Sequence, residues 1–183
     1  MTDNKDCWNQ PITLEIVIGS VRPGRFGPVV ARWFSGHASA RPGLRVGLLD
    51  LLEQPRDFAG RIGSADAVAV VTPEYNHSYP GPLKTAIDSL GSEWRATPVG
   101  FVSYGGLSGG LRAVEPLRIA FAELHAVTVR ETVSFHSYPD KFDQHGQPTD
   151  EVGPAAAADA LLDQLTWWGR ALRAAKLRQP YGT

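Results

Sequence analysis

The sequence lacks the features that mark several classes of protein. Its 183 residues include one cysteine, Cys7, which excludes an intramolecular disulfide framework and a metal site built from several cysteines. No uninterrupted apolar run is long enough to span a bilayer. Neither sign of charge is in excess: 18 basic and 19 acidic residues give a formal net charge of −1, whereas a nucleic-acid-binding domain usually has a basic face. These absences indicate a reducing compartment, and we expect a cytoplasmic protein.

The first residues, MTDNKDCWNQ, are polar and lack the apolar core of a signal peptide. We expect residues 1–11 to form a flexible N-terminal leader that carries the Cys7 thiol. A chain of this length favours one domain, since single cores usually contain about 100–200 residues. We therefore assign residues 12–178 to one domain and residues 179–183 to a C-terminal tail.

Apolar runs alternate with helical patterns along this domain. Helices are predicted at 82–90, 109–124 and 155–177 from apolar residues spaced three and four positions apart, and at 28–37, where a proline lies in the first turn. A short, poorly defined segment around 56–63 is the candidate for the remaining helix. Strands are predicted at 12–18, 44–49, 67–71, 98–103 and within 126–135. The alternation predicts an α/β fold with a doubly wound, five-stranded parallel sheet and helices on both faces. In such a sheet, ligands bind beyond the carboxyl ends of the strands, where the strand order reverses.

The sequence GSVRPGRFG, Gly19–Gly27, follows the first strand and is called loop one. It combines the hydroxyl of Ser20, the guanidinium groups of Arg22 and Arg25, and three glycines, and a helix begins directly after it. Exposed amides, a helix N-terminus and guanidinium groups together form a site for a phosphate dianion. Loop one lacks the motifs of a P-loop and of a dinucleotide site, which favours a terminal monophosphate. The alternative is a solvated turn whose arginines serve solubility.

Two further loops follow the third and fourth strands. Loop two, TPEYNHSYPGPLK at Thr72–Lys84, contains three prolines and two tyrosines, which suit a flat, conjugated ligand. Asn76 and the backbone of Glu74–Asn76 would contact the polar edge of that ligand; the alternative is a proline-rich connector whose tyrosines pack on helices. Loop three, SYGGLSGGLR at Ser103–Arg112, contains four glycines that allow a ligand to approach the backbone closely. We expect Ser108 to cap the helix that follows.

The three loops together would hold a flavin mononucleotide (FMN), with the phosphate in loop one and the isoalloxazine between loops two and three. This is the flavodoxin-like arrangement, with strand order 2-1-3-4-5 and FMN where the order reverses. Three segments carry a resemblance to a known family: GSVRPGRFGPVVARW, VVTPEYNHSYPGPLKTAID and VSYGGLSGGLRAVEPLR. The chain resembles the NADPH-dependent FMN reductases, flavodoxin-fold enzymes that include quinone, azo-dye and chromate reductases. The correspondence covers nearly the whole chain, and TPEYN before PGxLKxAID is its most specific part.

The resemblance implies roles for individual residues. It implies that Ser20 and Arg22 bind the FMN phosphate and that residues 73–76 contact the isoalloxazine, largely through the backbone. Many members have a hydroxyl residue in place of Arg25 and Asn in place of Gly27, so we expect Arg25 to bind the phosphate by its charge. The candidate cofactor-binding residues are Gly19, Ser20, Arg22, Arg25, Phe26, Gly27, Pro73, Glu74, Tyr75, Asn76, Ser103, Tyr104, Gly105 and Gly106.

The implied activity is an NAD(P)H-dependent reductase. Electrons would pass from NADPH or NADH through bound FMN to a quinone, an azo compound, a metal oxyanion or free flavin. Hydride transfer is chemistry of the cofactor, so we name no catalytic side chain. The alternative is a flavodoxin-type electron carrier that binds FMN without oxidising NAD(P)H, although such carriers are typically strongly acidic. A third class, a non-catalytic binding module, would not bind flavin. The resemblance further implies a homodimer with the flavin near the subunit interface, in some members paired into a homotetramer.

Several polar residues are interpreted as structural. Asp50 ends the second strand and, without a dinucleotide fingerprint, is interpreted as a polar strand terminus. His77 in loop two is close enough in sequence to reach a nicotinamide, but a lone loop histidine is more often a surface residue. A group of potential metal ligands lies in a segment with no helical spacing, for which we expect a solvated surface excursion and no metal: His136, Asp140, Asp143 and His145.

Overall fold

The structure is a computed structural model that describes residues 8–182, so Cys7 and residues 1–7 of the predicted leader lie outside the described residues. Its strands form one parallel sheet in the order β2-β1-β3-β4-β5, which confirms the predicted flavodoxin-like architecture. The strands are β1 (Ile12–Ile18), β2 (Leu44–Asp50), β3 (Ala67–Pro73), β4 (Pro98–Gly105) and β5 (Val127–His136). The helices are α1 (Gly27–Ser39), α2 (Phe58–Ser64), α3 (Gly81–Asp88), α4 (Leu111–Glu123) and α5 (Val152–Arg178). No helix among residues 8–182 combines the length and apolarity needed to cross a membrane.

The sheet is covered on both faces, as the apolar third strand predicts. Every residue of β3 and β4 is buried. One core packs α1 and α5 on the sheet, through side chains such as Phe34 and Leu161. The other core packs α2, α3 and α4 on the opposite face, through side chains such as Ile62, Leu83 and Phe121. Burial on both faces excludes water from the sheet and stabilises continuous apolar strands.

The strand order creates the place where the loops meet. β1 lies between β2 and β3, so the connection from β1 to β2 and the next connection, from β2 back past β1 to β3, run in opposite directions across the sheet. Because all five strands are parallel, loop one, loop two and loop three leave the sheet at the same edge. This edge is where the sequence predicts the ligand.

The segment after β5 differs from its prediction. Tyr138 and Phe142 pack against Phe26, with ring centroids 5.0 Å and 5.1 Å from it, so the prediction of a solvated excursion is wrong for these two residues. Their rings remove apolar surface from water under loop one. Asp143 has a structural role, since its carboxylate accepts hydrogen bonds from the amides of Gln147 and His145, and these bonds, that of Gln147 most, lower the pKa of Asp143.

Candidate functional site

Loop one contains a set of backbone amides without protein acceptors. Ser20 is completely buried, and within residues 8–182 the amides of Ser20, Val21 and Arg22 donate no hydrogen bond to the protein. The N-terminus of α1 lies beside them and has neither a side-chain cap nor an acidic residue in its first turn. A buried amide without a partner is costly, and a helix N-terminus attracts negative charge. These groups therefore fit the phosphate of FMN.

Three residues fix the floor of this phosphate site. The phenol of Tyr104 donates a hydrogen bond to Ser20 Oγ at 3.2 Å, which leaves the Ser20 proton available for another acceptor. Burial raises the pKa of Tyr104, so its hydroxyl remains a neutral donor. A Cβ atom on Gly27 would lie only 2.3 Å from Ser20 Oγ. The absence of a side chain at Gly27 is therefore what lets Ser20 lie against the start of α1.

The two arginines of loop one have partners within the protein. The Arg22 guanidinium lies over the ring of Tyr75, 3.7 Å from its centroid, and so connects loop one to loop two. Arg25 forms two hydrogen bonds to the carboxylate of Asp50. Asp50 ends β2, as the sequence indicates, but the sequence does not predict its ion pair with Arg25. The two residues are 25 positions apart, and only the pairing of β1 with β2 brings them together.

Loop two contains a tight turn shortly after the end of β3. Tyr75 and Ser78 exchange backbone hydrogen bonds of 2.8 Å and 3.1 Å, and both central residues have positive φ, 51° at Asn76 and 66° at His77. Two successive positive φ values are characteristic of a type I′ turn. The amide of Glu74 donates to the carbonyl of Tyr104 at 3.0 Å, which fixes the turn to β4. The candidate ring-contacting residues of loop two therefore lie on a rigid support.

Side chains of loop three hold the turn from the other side. Ser108 Oγ donates to the carboxylate of Glu74, and Arg112 lies 3.5 Å from the same carboxylate. The prediction that Ser108 caps α4 is wrong, because Gly110 occupies the cap position and no side chain caps the helix. Ser108 lies two residues before that cap position, and its hydroxyl donates its proton to the Glu74 carboxylate, a charge-assisted hydrogen bond. Arg112 also lies 3.2 Å from Nε2 of His77, which gives this histidine a partner on α4.

Because loop three contains glycines, its backbone can fold back into close contact with β4. Ser103 Oγ and Ser134 Oγ each donate to the carbonyl of Gly109 at 2.9 Å, so the Ser103 hydroxyl supports the loop. Gly110 has a φ of 89°, and a Cβ there would lie 2.7 Å from the backbone nitrogen of Tyr104. Gly106 is exposed at the surface of the same edge. The backbone of loop three is thus open toward loop two.

The structure brings all the candidate residues to one edge of the sheet, with differing roles. The amide of Gly19 donates a hydrogen bond to the carbonyl of Val71. Pro73 is the last residue of β3, and Gly105 is the last residue of β4. Phe26, within loop one, packs against the rings of Tyr104 and Tyr138. Among the described residues, no group of three or more His, Cys, Asp or Glu side chains is placed to hold a metal ion.

Comparisons with known proteins agree with this geometry. The sequence model of a family described as NADPH-dependent FMN reductase matches residues 12–140. A quinone reductase of Pseudomonas putida is 29% identical over 188 residues, which cover 91% of this chain and 99% of that protein. An NAD(P)H-dependent FMN reductase of Schizosaccharomyces pombe is 33% identical over 117 residues, which cover 52% of this chain and 58% of that protein. The chain therefore spans less than two thirds of the yeast relative's length.

One solved structure shows the same fold at low sequence identity. It is that of a flavoenzyme from Paracoccus denitrificans described as an NAD(P)H:(acceptor) oxidoreductase. The TM-score is 0.67 at 23% identity, and the superposition covers 87% of this chain and 98% of that one.

Proposed function

The chain belongs to the NADPH-dependent FMN reductase family, and from this premise we propose that it is an FMN-containing reductase that uses NAD(P)H. The observation that carries the proposal is the buried Ser20, whose unpartnered amide lies beside the uncapped N-terminus of α1. A phosphate there would pair with amides that the protein leaves without acceptors. The name of the yeast relative, an NAD(P)H-dependent FMN reductase, supports the same cofactor and electron donor, and the name of the bacterial relative, a quinone reductase, supports a reductase activity.

FMN, when bound, would supply the redox chemistry, which is two-electron transfer from the nicotinamide to an acceptor. The protein's part is to bind and orient. The amides of loop one and the hydroxyl of Ser20 would bind the phosphate, and the Gly27 position would keep that hydroxyl at the helix end. The type I′ turn of loop two and the backbone of loop three would hold the ring between them.

The proposed acceptor class rests on the family resemblance and not on a dedicated pocket. We propose a small molecule that accepts two electrons, namely a quinone, an azo compound, a metal oxyanion or free flavin. Exposed residues such as Asn76, His77 and Gly106 surround the proposed ring position, so a planar acceptor could stack there from solvent. We further propose a homodimer, as the family resemblance implies.

An anaerobic titration tests this function. Protein loaded with FMN is titrated with NADPH and, separately, with NADH. We expect one equivalent of donor to bleach the flavin absorbance at about 450 nm. Reduced protein is then mixed with each acceptor class in turn. Protein that binds FMN but is not bleached by either nucleotide would be a flavodoxin-type carrier, and protein that binds no FMN would contradict the proposal entirely.

A pair of serine variants localises the cofactor. Ser20→Ala removes the buried hydroxyl of loop one, and Ser39→Ala removes an exposed hydroxyl at the end of α1. We expect Ser20→Ala to weaken FMN binding about ten- to hundredfold, since a hydrogen bond to a charged group contributes about 1.5–3 kcal/mol. Ser39→Ala should bind FMN like the wild type. Equal affinities for the two variants would place the phosphate elsewhere.

A further inference from the structure

Arg25 and Asp50 form a part-buried ion pair at the carboxyl end of β2. Their side chains are 12% and 14% exposed. Arg25 Nη1 lies 2.5 Å from Asp50 Oδ1, and Nη2 lies 2.6 Å from Oδ2, so the two groups meet as a fork. Arg25 Nη1 also donates to the carbonyl of Ser20 at 2.7 Å. Three of the five N–H donors of this guanidinium are therefore not free to bind a ligand.

Asp50 is itself held in place. Its Oδ1 accepts a hydrogen bond from the amide of Leu52 at 3.0 Å, at the start of a short 3₁₀ helix, Leu51–Glu53. The Arg25 amide, in turn, donates to the carbonyl of Arg22 at 3.2 Å. The ion pair thus connects both ends of loop one to the end of a strand: Ser20 at its beginning and Arg25 near its end. Because the planar peptide group that carries the Ser20 carbonyl also carries the Val21 amide, this contact orients that amide of loop one.

We propose that Arg25 and Asp50 are positioning residues, which hold loop one closed with its amides and the Ser20 hydroxyl arranged for a phosphate. This inference rests on the proposed FMN site. The charge of Arg25 is compensated by Asp50, so its contribution to phosphate binding is the order it gives the loop. Holding a loop in its binding conformation before the ligand arrives improves affinity, because less conformational entropy is lost on binding.

Substitution of Asp50 distinguishes two roles of Arg25: ordering loop one, and binding the phosphate directly through its charge. An acidic group beside a phosphate site repels the dianion, so Asp50→Asn should strengthen FMN binding if charge alone decides. If the ion pair orders loop one, Asp50→Asn should weaken FMN binding instead. Arg25→Lys is equally diagnostic, because it keeps the positive charge but loses the two-pronged geometry of the guanidinium.

The test measures dissociation constants for FMN and for riboflavin, which has the same ring without the phosphate. We expect Asp50→Asn, Arg25→Gln and Arg25→Lys each to weaken FMN binding at least about tenfold, the fold-change of one charge-assisted hydrogen bond, with riboflavin affinity unchanged. The double variant Arg25→Gln/Asp50→Asn should bind FMN no more weakly than either single variant, since both remove the same interaction. In the FMN-free protein, amides of loop one should exchange hydrogen faster in each variant.

Three results would overturn the proposal. FMN affinity that is unchanged or improved in Asp50→Asn, with a loss in Arg25→Gln, would mean that Arg25 binds the phosphate directly. Parallel losses of FMN and riboflavin affinity would indicate a general loss of structure. Retention of full FMN affinity in Arg25→Lys would show that charge suffices. Failure of the wild-type protein to bind FMN would refute the proposed function itself, which the wild-type titration reveals before any variant is compared.

Discussion

Replacing Gly27 by alanine is the sharpest test of the phosphate site. The new Cβ would lie 2.3 Å from Ser20 Oγ and 3.0 Å from the hydroxyl of Tyr104, both in completely or almost completely buried residues. The Ser20 hydroxyl must rotate away, which breaks its hydrogen bond with Tyr104 and removes it from the phosphate. A buried donor left without a partner costs about 1–3 kcal/mol of folding free energy. Loss of the hydroxyl from the phosphate should weaken FMN binding about ten- to hundredfold.

The same helix offers a matched control. Gly36 is exposed in α1, and a Cβ there would meet no atom within 4 Å. Gly36→Ala should raise the free energy of unfolding by about 0.5–1 kcal/mol through helix propensity and leave FMN affinity unchanged. Fluorescence titration with FMN and urea unfolding measure the two quantities for each variant. If Gly27→Ala bound FMN as tightly as Gly36→Ala, Ser20 and the start of α1 would not form the phosphate site.

Three further predictions concern loop three and α5. Gly110→Ala should lower the free energy of unfolding by about 2–5 kcal/mol, because it combines a positive φ with a clash against β4 backbone, whereas Gly106→Ala, in open space, should be nearly neutral in the same urea experiment. Ser108→Ala should cost about 1.5–3 kcal/mol, since the largely buried Glu74 carboxylate loses a donor; unchanged stability would mean that this hydrogen bond contributes nothing. Burial lowers the pKa of Lys176, so the unfolded chain binds more protons and stability should rise with pH from the folded-state pKa up to about 10.4. Lys176→Met should abolish that rise in melting curves recorded across this range, and an unaltered pH dependence would contradict the reasoning.

Local patterns were sufficient for the strands and helices, and the flavodoxin-like arrangement of the three loops supplied the strand order. The apolar runs and helical spacings predict all five strands and all five principal helices, with ends that differ by a few residues at most. The family resemblance and the rule for doubly wound sheets predict the edge where loops one, two and three meet. These features are readable because they depend on hydrophobic periodicity and on glycines, prolines and hydroxyl residues next to one another in the chain.

The partners of individual side chains were not readable. The turn at Asn76–His77 lacks the glycine that usually announces a type I′ geometry, and its two positive φ values are held by tertiary contacts with β4 and α4. Ser108 matches the local signature of a helix cap, yet Gly110 occupies the cap position and the Ser108 hydroxyl donates to a carboxylate of another loop.

The sequence by itself determined that this chain builds a parallel sheet with glycine-rich loops at one edge, because burial patterns and turn chemistry act between near neighbours. Only the tertiary structure decided which charges pair there: it joined Arg25 to Asp50 and left the amide of Ser20 buried without an acceptor. The physical reason is that charge pairing and amide satisfaction depend on distances across separate strands, and these distances are set only when the sheet has assembled.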